Sequence, residues 1–241
     1  SDDAIWVHLY GGSQLVVQLP TGAVRLTQVT DYPWDGHVRI MIDECPATAF
    51  SLRLRIPGWC DGATVAVNGH ATGASQPRGT YGTVQRAWQA GDVVELSLPM
   101  PVRLMESHPA VLANENRAAV MRGPLLYCVE TPLAADGQRI WRDGIYFPEQ
   151  MTVTPRLEKD LLGGITVLQA EAVTEAGKQR YIHDVVSKVA PVPDSRSWDG
   201  VLYRPLAARP LPRPASGTVM LDLIPYYAWA NRGVAYMQVW V

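Results

Sequence analysis

Asp31 and Asp35 flank Tyr32 and Trp34 in the run Thr30-Asp31-Tyr32-Pro33-Trp34-Asp35-Gly36. Carboxylates beside aromatic rings suit a sugar, whose ring stacks on the indole while the carboxylates take its hydroxyls. The same residues suit an Asx-stabilised turn with its aromatics folded inward. A second concentration, Pro225-Tyr226-Tyr227-Ala228-Trp229-Ala230-Asn231-Arg232-Gly233, is the densest aromatic stretch of the chain. Such a platform fits a ligand, a core, or an interface to a neighbouring domain. Tyr32, Trp34, Asp35, Tyr226, Tyr227 and Trp229 are therefore the candidate carbohydrate-contact or interdomain residues. Glu115, between Asn114 and Asn116, sits in a polar loop that reads as a turn or cap. Hydrolysis by a carboxylate pair would start from Asp31, Asp35 and Glu130, whose spacing shows no paired logic of its own.

Other chemistries find less support. His8, His37, His70, His108 and His183 form neither HxH nor HExxH, so no local metal motif is present. There is no G-x-S-x-G elbow and no P-loop, and Gly163-Gly164 reads as a turn. Cys45, Cys60 and Cys128 are odd in number and widely spaced, with no CxxC among them. Each reads as an inert small residue, and a reducing, cytoplasmic compartment is expected. No catalytic residue, metal ligand or cofactor is assigned to the chain.

The elements that must position these residues follow from composition and period. The chain has 241 residues, enough for one large domain or two ordinary ones. Apolar residues make up 47% and charged residues 18%, which excludes a disordered tail. No apolar run is long enough for a membrane span. A net charge of −2 argues against a nucleic-acid partner. There are 20 Gly, 19 Pro, 8 Trp and 10 Tyr against only 2 Phe, a mixture that suits short strands joined by many turns.

The hydrophobic period is two nearly everywhere. Leu15, Val17 and Leu19 recur at alternate positions, as do Val38, Ile40 and Ile42, or Leu52, Leu54 and Ile56. Val94, Leu96 and Leu98 do so again, and Val219, Leu221 and Leu223 after them. The segment 156–162 is the one place where two turns of helix are expected. Asn68-Gly69 and Gly91-Asp92 are turn signals, the first the strongest hairpin dipeptide known. A seam is expected at Pro99-Met100-Pro101, because two prolines interrupt a central strand. The four prolines at 205, 210, 212 and 214 favour an extended loop or edge. The expected fold is all-β: two consecutive antiparallel, jelly-roll-like β-sandwich domains over residues 1–102 and 103–241.

An ordered set of motifs then resembles one family. It comprises Tyr32-Pro33-Trp34-Asp35-Gly36; Leu54-Arg55-Ile56-Pro57-Gly58-Trp59-Cys60 leading to Asn68-Gly69; and Trp88 with Gly91-Asp92-Val93. It continues with Arg122-Gly123-Pro124-Leu125-Leu126-Tyr127 and Glu130, and ends on the aromatic run after Ile224 and on Met237 to Trp240. The set resembles the C-terminal part of the glycoside hydrolase family 127 β-L-arabinofuranosidases, over essentially the whole chain. The resemblance implies a larger enzyme, in which an N-terminal (α/α)6 barrel precedes two β-sandwiches. It implies that the barrel holds the zinc site, the cysteine nucleophile and the glutamate acid/base, the nucleophile in a Cys-Cys pair that this sequence lacks. No catalytic or zinc residue carries over to a position here, and the Ser-Asp-Asp start reads as a cut inside a longer protein. The chain is thus expected to be a non-catalytic scaffold that packs on the barrel and shapes its pocket, with a homodimer as a further partner. The alternative is an independent carbohydrate-binding module for an arabinose-containing glycan.

Overall fold

The computed structural model describes residues 4–73, 75–132, 145–148, 151–174, 177, 179, 194, 196–207, 217–233 and 235–241. The regular secondary structure of the described residues is almost all strand, and the chain divides into two compact units, residues 1–101 and 102–241. Val102 opens a strand that pairs with Arg122, which ties it to the second unit. Among the described residues no helix is long and apolar enough to cross a membrane.

The first unit is a two-sheet sandwich. Strands β1 (Ala4–Val7), β5 (Phe50–Arg55) and β8 (Tyr81–Arg86) form one sheet in the order β1-β5-β8. The other sheet has the order β2-β3-β4-β9-β6-β7. Its strands are β2 (Ser13–Leu19), β3 (Gly22–Thr30), β4 (His37–Glu44), β6 (Thr64–Val67), β7 (His70–Ala71) and β9 (Val93–Ser97). The period-two residues of both sheets meet in one core: Ile5, Leu52 and Leu54 from the first, Val24, Ile40 and Leu96 from the second. Each such side chain contributes roughly 1.5–3 kcal/mol by leaving water. All pairings are antiparallel save β1 with β5, which is parallel. Strand β2 departs from the expected in–out alternation. It is the edge of its sheet, so Leu15 and Val16 are exposed and only Leu19 is fully buried.

Both turn signals hold. Asn68 and Gly69 take the left-handed conformation that a two-residue hairpin needs between β6 and β7. Asn68 also locks the neighbouring turn: its Nδ2 donates to Asp92 Oδ1 at 2.8 Å and its Oδ1 accepts from the Val93 amide at 2.8 Å. Asp92 Oδ2 accepts from the Gln89 amide at 3.0 Å. The buried Trp88 donates its indole N–H to the Phe50 carbonyl at 2.9 Å, as a buried indole must.

In the second unit all described strands belong to one nine-stranded antiparallel sheet. Strand β10 (Val102–Ser107) pairs with β11 (Ala119–Arg122) and β16 (Tyr203–Pro205). Strand β12 (Leu125–Pro132) joins β11 to β17 (Thr218–Pro225), and β18 (Ala235–Gln238) continues the β11 side. Strand β15 (Ile165–Thr174) pairs with β17 on one side. On its other side lie β13 (Ile145–Tyr146) and β14 (Val153–Glu158). Central β15 is buried on both faces over Ile165, Thr166, Val167 and Leu168. Tyr127 is wholly buried and donates its hydroxyl to the Thr166 carbonyl at 3.0 Å.

The helix expected over 156–162 is not there. Strand β14 occupies its first half, with Arg156 opposite Val167, and a turn follows in which Leu162, Gly163 and Gly164 all have positive φ. Val153, Thr154 and Pro155 lead into the segment, and β-branched residues before a proline favour extended chain. Gly163-Gly164 is the turn the sequence suggested. Of the four prolines at 205–214, only Pro205 lies among the described residues, at the end of β16.

Candidate functional site

The structure places the six candidates in two loops, one in each unit. Loop 30–36 joins β3 to β4, and almost every polar group in it is engaged locally. Thr30 Oγ1 accepts from the Tyr32 amide at 3.1 Å and donates to the His37 carbonyl at 2.6 Å. The Asp31 carbonyl accepts from the Trp34 amide at 2.8 Å, and Asp35 Oδ1 accepts from the His37 amide at 2.7 Å. Asp35 is thereby an Asx cap on its own turn. A Cβ on Gly36 would stand 1.9 Å from the Leu98 carbonyl oxygen, so only glycine fits beside β9. Tyr32 is half-buried against the core, its ring edge-on to Tyr10 at 5.9 Å, and burial pushes its hydroxyl pKa up. Trp34 is half-buried as well.

Loop 225–233 behaves differently. Strand β17 ends at Pro225 and a 3-10 turn, Tyr226–Ala228, follows, with Ala228 buried beneath it. Glu130, on β12, reaches across to hold the loop. Its Oε1 accepts from the Ala230 amide at 3.1 Å and its Oε2 is paired with the Arg232 guanidinium. The Glu130 side chain is only 4% exposed. Asn231 Nδ2 donates to the Ala228 and Trp229 carbonyls at 3.1 and 3.3 Å. This backbone presents Tyr226, Tyr227 and Trp229 outward, at 45%, 60% and 39% exposure. The arrangement can stack or pack; its carboxylate is engaged in holding the loop. Asp35 and Glu130 thus have structural partners in place of the roles a hydrolytic pair would require, while Asp31 is exposed on the turn.

The zinc that the resemblance implies finds no ligand set among these residues. Cys45 Sγ donates to the Trp88 carbonyl at 3.3 Å, and Cys60 Sγ to the Pro99 carbonyl at 3.8 Å. Cys128 is buried, and burial pushes its thiol up to about 12. Among the described residues no group of three His, Cys, Asp or Glu could hold a metal ion.

One cluster escaped the sequence reading. The parallel register of β1 and β5 sets Trp6 opposite Arg53. The Arg53 guanidinium lies 4.5 Å over the Trp6 ring, Tyr81 meets Trp6 edge-on at 4.8 Å, and His8 Nδ1 is 2.6 Å from the Tyr81 hydroxyl. The alternation of Trp6 with His8 hinted at a shared outer face. The partner strand, far away in sequence and running parallel, gave no local signal.

Comparison with known proteins agrees along the whole chain. The family described as "Beta-L-arabinofuranosidase, GH127 middle domain" matches residues 4–100, and "Glycoside hydrolase family 127 C-terminal domain" matches residues 102–241. A curated relative, the non-reducing end β-L-arabinofuranosidase of Bifidobacterium longum subsp. longum, is 32% identical over 227 residues. That alignment covers 90% of this chain and 30% of the relative. Among solved structures, a β-L-arabinofuranosidase of the same family from Geobacillus stearothermophilus is 36% identical with a TM-score of 0.74, matching all of this chain and 34% of that one. A protein titled "Glycoside hydrolase" is 38% identical with a TM-score of 0.77, again over all of this chain and 36% of the other. The chain therefore spans about a third of the length of these relatives.

Proposed function

This chain belongs to glycoside hydrolase family 127, and from that premise we propose that it serves as non-catalytic β-sandwich scaffold beside an N-terminal (α/α)6 barrel, packing on that barrel and shaping its pocket. Zinc, nucleophile and acid/base would belong to the barrel. The observation that carries the reading is loop 225–233: three exposed aromatics on a backbone fixed by a nearly buried glutamate. Rigid aromatics lose little conformational entropy on docking, and exposed apolar patches mark interaction surfaces. The proposed address is the cytoplasm, since the three cysteines form no disulfide.

Activity and dye binding test the proposal together. The chain alone is expected to release no arabinose from β-L-arabinofuranosides. It is also expected to bind a hydrophobic dye, and Tyr227→Ser with Trp229→Ser should cut that dye signal severalfold. Release of arabinose at rates typical of a complete glycosidase would refute it. The second reading, a carbohydrate-binding module, rests on the same aromatics. Calorimetry with arabinose-containing oligosaccharides separates the two: saturable heat that Trp229→Ala abolishes favours the module.

A further inference from the structure

The second unit contains a cavity of about 460 Å³, away from the aromatic loop's residues. Its polar lining is Glu106, Ser107, His108, Asn114, Glu115, Asn116 and Arg117, and residues such as Leu104, Phe147 and Leu206 give it an apolar side. Its volume lies within the range of small-molecule sites. The sequence marks Asn114, Glu115 and Asn116 only as a polar loop.

The rim is held in place before any ligand arrives. Successive backbone bonds run from Val111 to His108, Asn114 to Val111, Glu115 to Leu112 and Arg117 to Asn114. Ala118 and Val241 exchange amide bonds at 2.9 and 3.1 Å, anchoring the far side. His108 Nδ1 accepts from the Ala110 amide at 3.1 Å, so a neutral ring carries its proton on Nε2 as a donor. Glu106 Oε1 accepts from Arg204 Nε at 2.8 Å and Arg196 Nη2 at 2.9 Å. Both guanidiniums also bind Asp194, and Arg204 lies 3.9 Å over the Trp198 ring. The Arg196 hydrogen bonds hold the Asp194 carboxyl well below the usual carboxylate range.

The charge pattern narrows the ligand class. Glu106 and Asp194 together are balanced by Arg196 and Arg204, and the charges of Glu115 and Arg117 offset each other. The rim groups and their partners therefore leave no net positive charge to draw a polyanion. A metal would need three suitable groups together, and none of the described residues provides them. A purely apolar molecule would strip water from the polar rim without replacing its hydrogen bonds. What remains is a neutral molecule with one hydrocarbon face and a ring of hydroxyls. We infer that this cavity is a binding site for a neutral monosaccharide unit, with Asn114, Glu115 and Arg117 on its hydroxyls and Phe147 and Leu206 against its C–H face. The inference stands apart from the docking role of loop 225–233, and either can fail alone.

Amide-detected NMR titration of the chain tests it, with L-arabinose and D-glucose as sugars and inorganic phosphate as the anionic comparator. Saturable shifts at the amides of residues 112–117 are expected at millimolar sugar. Glu115→Ala, at an exposed position, should leave the spectrum outside the rim unchanged and weaken binding severalfold. Asn114→Ala with Glu115→Ala should weaken it tenfold or more. Trp229→Ala should titrate like the parent, which separates this site from the aromatic loop. Absence of saturable shifts, tighter binding of phosphate at the same amides, or unchanged affinity in both rim variants would overturn the inference.

Discussion

Loops 30–36 and 225–233 share a proline, clustered aromatics and a glycine in sequence, though only the first carries carboxylates of its own. They fold to opposite ends. In the first, the carboxylate comes from within the loop, and Asp35 caps the amide two residues on. The turn closes on itself and Tyr32 packs against the core. In the second, the carboxylate comes from another strand, and Glu130 holds Ala230 and Arg232 from β12. The loop is gripped from below, and its aromatics remain outside. The origin of the anchoring carboxylate separates the two loops, since a turn that anchors itself leaves its aromatics to the core. A loop anchored by a neighbouring strand can be rigid and still present them.

The sharpest way to break this comparison is Gly36→Ala. The first loop depends on the close approach of Gly36 to β9, where Leu98 also donates its amide to the Gly36 carbonyl at 2.9 Å. A methyl group there meets backbone, which cannot swing aside. We expect a loss of about 3 kcal/mol in urea unfolding, at the upper end of overpacking costs. If Gly36→Ala unfolds with the parent's midpoint, the self-closed description of this loop is wrong.

The second loop is probed by Glu130→Ala. A charge-assisted bond to Arg232 and an amide bond to Ala230 are both lost, at a cost of about 2 kcal/mol. Hydrogen exchange is the more specific readout. The Ala230 amide should exchange many times faster while amides of β15 keep their protection. Unchanged Ala230 exchange would mean that Asn231 and the 3-10 turn suffice to hold the aromatics.

The strands were legible because their apolar residues alternate and one face of each enters a core, a local signal. Asn68-Gly69 was legible because its backbone demands two positive φ values. The loop aromatics were legible as a cluster, but their direction was not. Nothing near Ala230 says that Glu130, a hundred residues earlier, will reach it. The same limit hid the Trp6–Arg53 pairing and the rim of the second unit's cavity, whose walls include β10, a second 3-10 turn at Leu112–Asn114, and Val241. Over 156–162 two turns of helix were expected, while pairing to β15 makes the first half strand and a turn follows it. Period reads what a segment does alone; sites are made by segments that meet.

A third carboxylate extends the comparison at a smaller scale. Asp92 anchors two turns at once, one its own and one belonging to the β6–β7 hairpin. The hydrogen bond from Asn68 and the Gln89 amide hold its carboxyl below the ordinary carboxylate pKa, with Arg86 assisting at 3.9 Å. A pKa depressed in the folded state stabilises the fold fully above the unfolded value, about 3.9, and loses that stability as pH falls through the folded value. As pH falls below about 4 the first unit should therefore weaken as Asp92 takes up its proton. The buried indole of Trp88, four residues away, reports this by fluorescence. Asp92→Asn keeps an acceptor but cannot titrate. It should cost about 1 kcal/mol at neutral pH and show a flatter stability profile over the acid range. Asn68→Ala removes the main cause of the depression and should flatten the profile in the same way. Equal acid slopes for the parent and both variants would show that Asp92, like Asp35, serves only its own turn.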